Sequence, residues 1–76
     1  MAEPNYAVVQ RLRMIDFLVA QYGAVNRRAI VDFFGVSEPT ASHDFASYME
    51  MAPGNIVYDK SARTYVRGAT FERVWT

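Results

Sequence analysis

A chain of 76 residues with 51% hydrophobic and 21% charged residues has the make-up of one folded domain with one core, which excludes a disordered segment and a second folding unit. Eight basic residues balance eight acidic ones, so the net charge of zero argues against a ligand held by bulk electrostatics alone. Cysteine is absent, which excludes disulfide stapling and thiolate metal ligation.

No apolar run approaches the roughly 18–20 residues of a membrane span, and Met1-Ala2-Glu3-Pro4 lacks the basic-then-apolar order of a signal peptide. A cytoplasmic location without a membrane partner is the expectation. Within the balanced total the charge is sorted. Lys60, Arg63 and Arg67 fall in one stretch without an acid, whereas Asp44, Glu50 and Asp59 fall in another without Lys or Arg.

The first helix is expected over residues 5–22. Val8, Leu12, Ile15, Val19 and Tyr22 recur at alternating steps of four and three, with Pro4 ahead of them and Gly23 placed to supply a left-handed terminus. Met14, Phe17 and Leu18 widen the apolar surface beyond one narrow contact. Asn26 is suited to cap a second helix over residues 26–34, which turns Ile30, Phe33 and Phe34 inward before Gly35 ends it.

Ser37 offers the next cap, followed by Glu38 and Pro39 in a first turn that favours an acid and tolerates proline. The third helix, residues 37–52, carries Ala41, Phe45, Tyr48, Met49 and Ala52 at helical spacing up to Pro53-Gly54. Two β-branched and aromatic runs, Asn55 to Asp59 and Arg63 to Arg67, flank a polar tip and predict a β-hairpin over 55–67. A two-residue and a three-residue loop both give acceptable pairs. In the tail, residues 69–76, Phe71, Val74 and Trp75 stand at i, i+3 and i+4, the spacing of one helical turn, and need burial. They either fold back on the first helix of their own chain or meet Met14, Phe17 or Leu18 of a second copy in a homodimer.

The fold class is therefore mainly α with a small β-hairpin: one winged helix-turn-helix domain over 1–76, with three helices and a two-stranded wing. A turn of three to four residues containing glycine, here Gly35-Val36-Ser37, makes the second and third helices cross steeply, so that the third can enter a major groove. Sequence-selective binding of double-stranded DNA is the expected function. Thr40, Ser42, His43 and Ser47 lie on the polar side of the third helix with hydroxyls and an imidazole for base edges, and Ser37 and Pro39 stand at its entry. Asn26, Arg27 and Arg28 open the second helix, where the arginines suit a phosphate, and Lys60 and Arg63 at the wing tip reach backbone or minor groove. The alternative is a winged helix used only for protein contact or dimerisation, which zero net charge and the acids Glu38 and Asp44 on the third helix would suit.

Ser42-His43-Asp44 does not make a catalytic triad, since successive helix residues point about 100° apart. No catalytic residue, metal or cofactor is expected, and the chain is read as no enzyme. Asp44 is expected to pair with an arginine nearby, and Glu38 to compensate the helix dipole, its charge repelling a nearby phosphate unless it faces a cytosine amino group.

Phe34-Gly35-Val36-Ser37 followed by Thr40-Ala41-Ser42-His43-Asp44-Phe45 resembles the recognition unit of DeoR-type winged-helix repressors. With Asn26-Arg27-Arg28 upstream, and Pro53-Gly54-Asn55-Ile56-Val57-Tyr58-Asp59 and Arg63-Thr64-Tyr65 downstream, the chain is more similar to the N-terminal domain of WYL-domain transcriptional regulators, including repressors found with bacterial phage-defence operons. The resemblance covers roughly residues 7 to 71 and implies transcriptional repression through operator DNA. Such regulators continue into a WYL domain that senses a ligand and helps dimerise the protein. No small-molecule ligand is therefore expected for these 76 residues alone. DeoR-type members often carry two arginines where Ser42 and His43 stand here, so their base preference does not transfer.

Overall fold

Glycines set the element boundaries in the computed structural model, which describes residues 6–75. Gly23 and Gly35 take left-handed φ values of 80° and 69°, and their amides close onto Val19 O and Val31 O at 2.9 and 2.8 Å. Each ends a helix as a residue without a Cβ does at least cost. The elements run α1 (Tyr6–Tyr22), β1 (Ala24–Val25), α2 (Arg27–Phe34), α3 (Glu38–Met51), β2 (Ile56–Asp59) and β3 (Thr64–Arg67). Pro4 and Asn5, expected at the start of the first helix, lie outside the described residues.

Both expected N-caps form. Asn26 Oδ1 accepts from the Ala29 amide at 2.9 Å, and Ser37 Oγ accepts from the Thr40 amide at 3.2 Å. The core joins Leu12, Ile15 and Val19 of α1 to Ile30 of α2, to Ala41, Phe45 and Tyr48 of α3, and to Val25 and Ile56 of the sheet. Val36 of the turn is half-buried against this cluster, wedged between α2 and α3.

Two helical residues expected inside are outside. Tyr22 is 75% exposed, because a four-three repeat drifts about 20° per heptad around a straight helix and leaves its last member beyond the contact. Phe33 is 69% exposed: Ile30 and Phe34, one full turn apart, take the inward positions, and Phe33 sits with its ring edge-on to Phe34 at 4.9 Å.

The hairpin is joined by a third strand, which pairs Ala24 with Val66 and Val25 with Tyr65, giving an antiparallel sheet of order β1-β3-β2. A two-residue strand is too short to show alternation in sequence. Between β2 and β3 the pairs run from Ile56 with Arg67 to Asp59 with Thr64, so the tip is the four-residue turn of residues 60 to 63 rather than a loop of two or three. Asp59 builds it: its Oδ1 accepts from the amides of Ser61 and Ala62 at 3.0 and 3.2 Å, and Arg63 closes it with φ 55°. Gly68 ends the wing where a Cβ would fall 1.9 Å from Gly54 O.

Among its described residues, 69 to 75, the tail forms no helix. It turns after Gly68 and reaches α1, where the amides of Val74 and Trp75 both donate to the Asp16 carboxylate at 3.1 Å. Phe71 and Trp75 pack against the core of their own chain, so the tail folds back on it, whereas Val74, expected to need burial with them, is 38% exposed because its amide rather than its side chain turns to α1. Helical spacing misleads here because the Asp16 carboxylate takes up the amides that would otherwise close a turn.

Candidate nucleic-acid interface

The Gly35-Val36-Ser37 turn between α2 and α3 leaves one side of α3 outward while Ala41, Phe45 and Tyr48 hold the other in the core. Phe45 also stacks on Tyr65 of β3, with ring centres 4.0 Å apart and planes 3° from parallel, and Tyr65 in turn meets Tyr58 of β2 at 4.8 Å. Burial, then the nearby Tyr58, raises the Tyr65 phenol above its ordinary value, against a smaller opposing effect of Arg27. The wing is thereby fixed to the third helix through aromatic faces, with Phe45 buried, Tyr65 half-buried and Tyr58 exposed at the outer end of the row.

Around the N-terminal end of α3 the chain brings together residues that are far apart in sequence. Asn26, Arg27 and Arg28 of the α2 entry, Glu38 of α3 and Arg63 of the wing tip line one open hollow of about 190 Å³. Arg27 Nη1 donates to Ser42 Oγ at 2.8 Å, and Arg27 Nη2 lies 3.7 Å from Glu38 Oε1. Arg28 reaches Glu38 Oε2 at 3.8 Å and Asp32 at 3.7 Å. The arginines, Glu38 and Asp32 are all exposed, so each pair is worth little by itself and yields readily to a stronger anion.

The remaining expected site residues divide by what they already hold. Ser37 is occupied as a cap, and its hydroxyl also donates to Thr40 Oγ1 at 3.0 Å. Pro39 is exposed in the first turn; Thr40 and Ser47 are half-buried; His43 is exposed. Lys60 and Arg63 are exposed on the four-residue tip. The side chains of Ser42, His43 and Asp44 go to three different places: the first to Arg27, the second to solvent, the third to a buried bidentate contact with Arg11. Arg67, grouped by sequence with the basic wing, instead donates to Val19 O and Ala20 O at 3.4 and 3.1 Å, where it offsets the negative end of α1.

Sequence reasoning missed the buried polar frame that joins α1, the later part of α3 and the tail. Asp16 accepts from Tyr48 Oη at 2.5 Å, from Arg73 Nε at 3.0 Å and from the tail amides, while Asn55 Nδ2 donates to Tyr48 Oη at 3.1 Å and to Glu72 O at 2.7 Å. The signal was available in part: Asp16 stands within the stripe of Leu12, Ile15 and Val19, a position where an acid is retained only with partners. Burial raises the Asp16 pKa, but the hydrogen bonds from Tyr48, Val74, Trp75 and Arg73 together outweigh it and hold the carboxyl below its ordinary 3.8. Burial and the Asp16 carboxylate push the Tyr48 phenol well above its ordinary value.

Comparison with known proteins agrees with the winged-helix resemblance. A family described as the BrxR transcriptional regulator winged helix-turn-helix domain matches residues 7–76. Proteins named DNA-binding transcriptional repressor CapW are similar to this chain: 41% identical over 66 residues in Escherichia coli (strain KTE188), 39% over 66 residues in Pseudomonas aeruginosa and 35% over 65 residues in Stenotrophomonas maltophilia. These alignments cover 86–87% of this chain but 22% of each relative, so the chain spans about a fifth of the length of the curated relatives it matches.

Proposed function

The chain belongs to the BrxR transcriptional regulator winged helix-turn-helix domain family, and on that premise we propose that it is the DNA-reading unit of a transcriptional repressor. In this reading α3 enters the major groove of duplex DNA and the wing tip lies on the adjoining backbone or minor groove. One observation carries it. Arg27, Arg28 and Arg63 converge beside the exposed start of α3, although the chain as a whole has no net charge. Clustered cations next to a projecting helix make a footprint for phosphate, and a balanced total keeps that footprint local.

Thr40, His43 and Ser47 are the base-edge readers of the proposal. Arg27, Arg28, Lys60 and Arg63 are its phosphate contacts, and Asn26, Ser37 and Pro39 set the backbone of the two helix entries against the duplex. Ser42 belongs with the phosphate group, because its hydroxyl holds Arg27. Two copies on a pseudo-palindromic operator, with half-sites about 34 Å or a multiple apart, would give the selectivity that one small winged helix lacks. The site of action is the cytoplasm, and catalysis has no part in it.

Fluorescence anisotropy with a labelled duplex of arbitrary sequence tests the reading. Binding at low salt that weakens log-linearly as salt rises is the expected result. A second reading, protein contact without DNA, draws support from Phe17 and Phe33, which line an open hollow of about 320 Å³ with Met14, Phe34, Arg13 and Arg73. No binding to any duplex at low salt would select it.

A further inference from the structure

The residue that the DNA-binding reading leaves unexplained is Glu38. A carboxylate on the exposed first turn of a recognition helix repels the phosphates the domain is meant to approach. A role confined to the helix dipole accounts for its position but not for its contacts. Its two oxygens are divided between two arginines of another helix, Oε1 toward Arg27 at 3.7 Å and Oε2 toward Arg28 at 3.8 Å. A phosphate presents the same thing to a pair of guanidinium groups: two anionic oxygens on one centre. Arg63 of the wing lines the same hollow without an acid of its own among the ion pairs of the described residues.

We propose that Glu38 is a specificity-determining residue whose carboxylate bridges Arg27 and Arg28 in the free protein at the place a DNA phosphate takes in the complex, and which, once released, accepts from a cytosine amino group in the major groove. The proposal rests on the DNA-binding reading above. Its physical content is a difference between sites. On any duplex, the phosphate must displace Glu38, which weakens binding uniformly. At a site with cytosine opposite the first turn of α3, the freed carboxylate finds the N4 amino donor, the partner Glu and Asp take among base edges, and the loss is offset. Elsewhere the carboxylate is left facing acceptors and phosphates, and the loss stands. Non-cognate DNA is thus discriminated against by a repulsive group, as specificity generally requires.

The test compares wild type with Glu38→Gln, which keeps shape and removes charge, and with Arg27→Ala/Arg28→Ala alone and combined with Glu38→Gln. Affinity for a pool of unselected random duplexes is measured by anisotropy at ~50 mM and ~200 mM salt. The same proteins then select from that pool. Glu38→Gln is expected to bind unselected duplex roughly three- to tenfold more tightly at the lower salt, with the gain shrinking at the higher. It should also lose a cytosine preference that the wild type enriches. In the double-arginine background the gain should vanish. Unchanged or weaker binding by Glu38→Gln, an identical enriched sequence, or a gain that persists without the arginines each overturns the proposal. A wild type that binds no duplex overturns the DNA-binding reading itself, and this proposal with it. A thermal melt of Glu38→Gln close to that of wild type shows that these readouts are not those of a damaged fold.

Discussion

Tyr48 of α3 donates its phenol to Asp16 of α1 across 2.5 Å, with both side chains fully buried, and thereby links three parts of the chain through one carboxylate. One turn earlier on α3, buried Asp44 accepts from Arg11 of the same α1. The two cross-links run in opposite senses, acid on α3 to base on α1 and phenol on α3 to acid on α1. A sliding or rotation of α3 along α1 would break both. α3 is therefore held against α1 by polar contacts whose loss is costly in a dry interior.

Replacing Tyr48 with phenylalanine keeps the ring and removes only this hydroxyl. Asp16 then loses a charge-assisted donor and Asn55 Nδ2 an acceptor, which should cost about 1–3 kcal/mol. Chemical denaturation measures it, and a midpoint equal to wild type would show that the network adds nothing to stability.

Acid should expose Asp16. Its folded pKa lies below the ordinary 3.8, so the carboxylate contributes stability that is present above that value and is lost as pH falls through the lower, folded one. Asp16→Asn is expected to be less stable than wild type at neutral pH, with the gap narrowing as pH drops below about 4. Parallel denaturation curves at several pH values decide it; a gap that does not change with pH would mean that Asp16 acts by shape alone.

Phe45→Ala removes both a core side chain and the stack on Tyr65, and should cost about 3–5 kcal/mol, a large share of what so small a domain has. A thermal melt near wild type would place the inward face of α3 elsewhere.

Arg27→Ala, Arg28→Ala and Arg63→Ala should each weaken binding to all duplexes alike and flatten the salt dependence by about 0.9 for each phosphate that is no longer neutralised. Ser42→Ala should behave like a mild Arg27→Ala, since Ser42 orients that guanidinium, whereas His43→Ala should blur the choice between sequences. Anisotropy across salt, with matched and mismatched duplexes from a selection, separates the two classes. Unaltered slopes for all three arginines would move the phosphate contacts elsewhere.

A chain ending at Gly68 loses the amides of Val74 and Trp75 that serve Asp16 and the Glu72 carbonyl that serves Asn55. It should be destabilised by about 2 kcal/mol or more, with the sedimentation of the domain otherwise unchanged. Unchanged stability together with a smaller sedimenting species would instead put the tail in an interface between copies.

The local signals in this sequence were sufficient for the three helices, their ends and the hairpin, but not for the two-residue β1, the four-residue tip or the course of the tail. Asn26 and Ser37 as caps, Gly23 and Gly35 as left-handed stops, and the change of period after Gly54 each act within a turn or two of chain, so residue type alone carries them. The same holds for the helix-turn-helix corner and for which face of α3 turns inward. What only the tertiary structure decided is where side chains meet across long separations. Residues 16 and 48 and 11 and 44 meet through helix packing, and 16 and 73 through the return of the tail, neither of which any periodicity encodes. The site divides along the same line. The exposed arginines of α2 and the wing were legible as cations, but that Glu38 spans two of them, that Ser42 is taken by Arg27 and that Arg67 turns away to cap α1 depend on the α2–α3 crossing and on the β3 register. A residue's type sets which contacts it can make; the fold sets which of those partners come within reach.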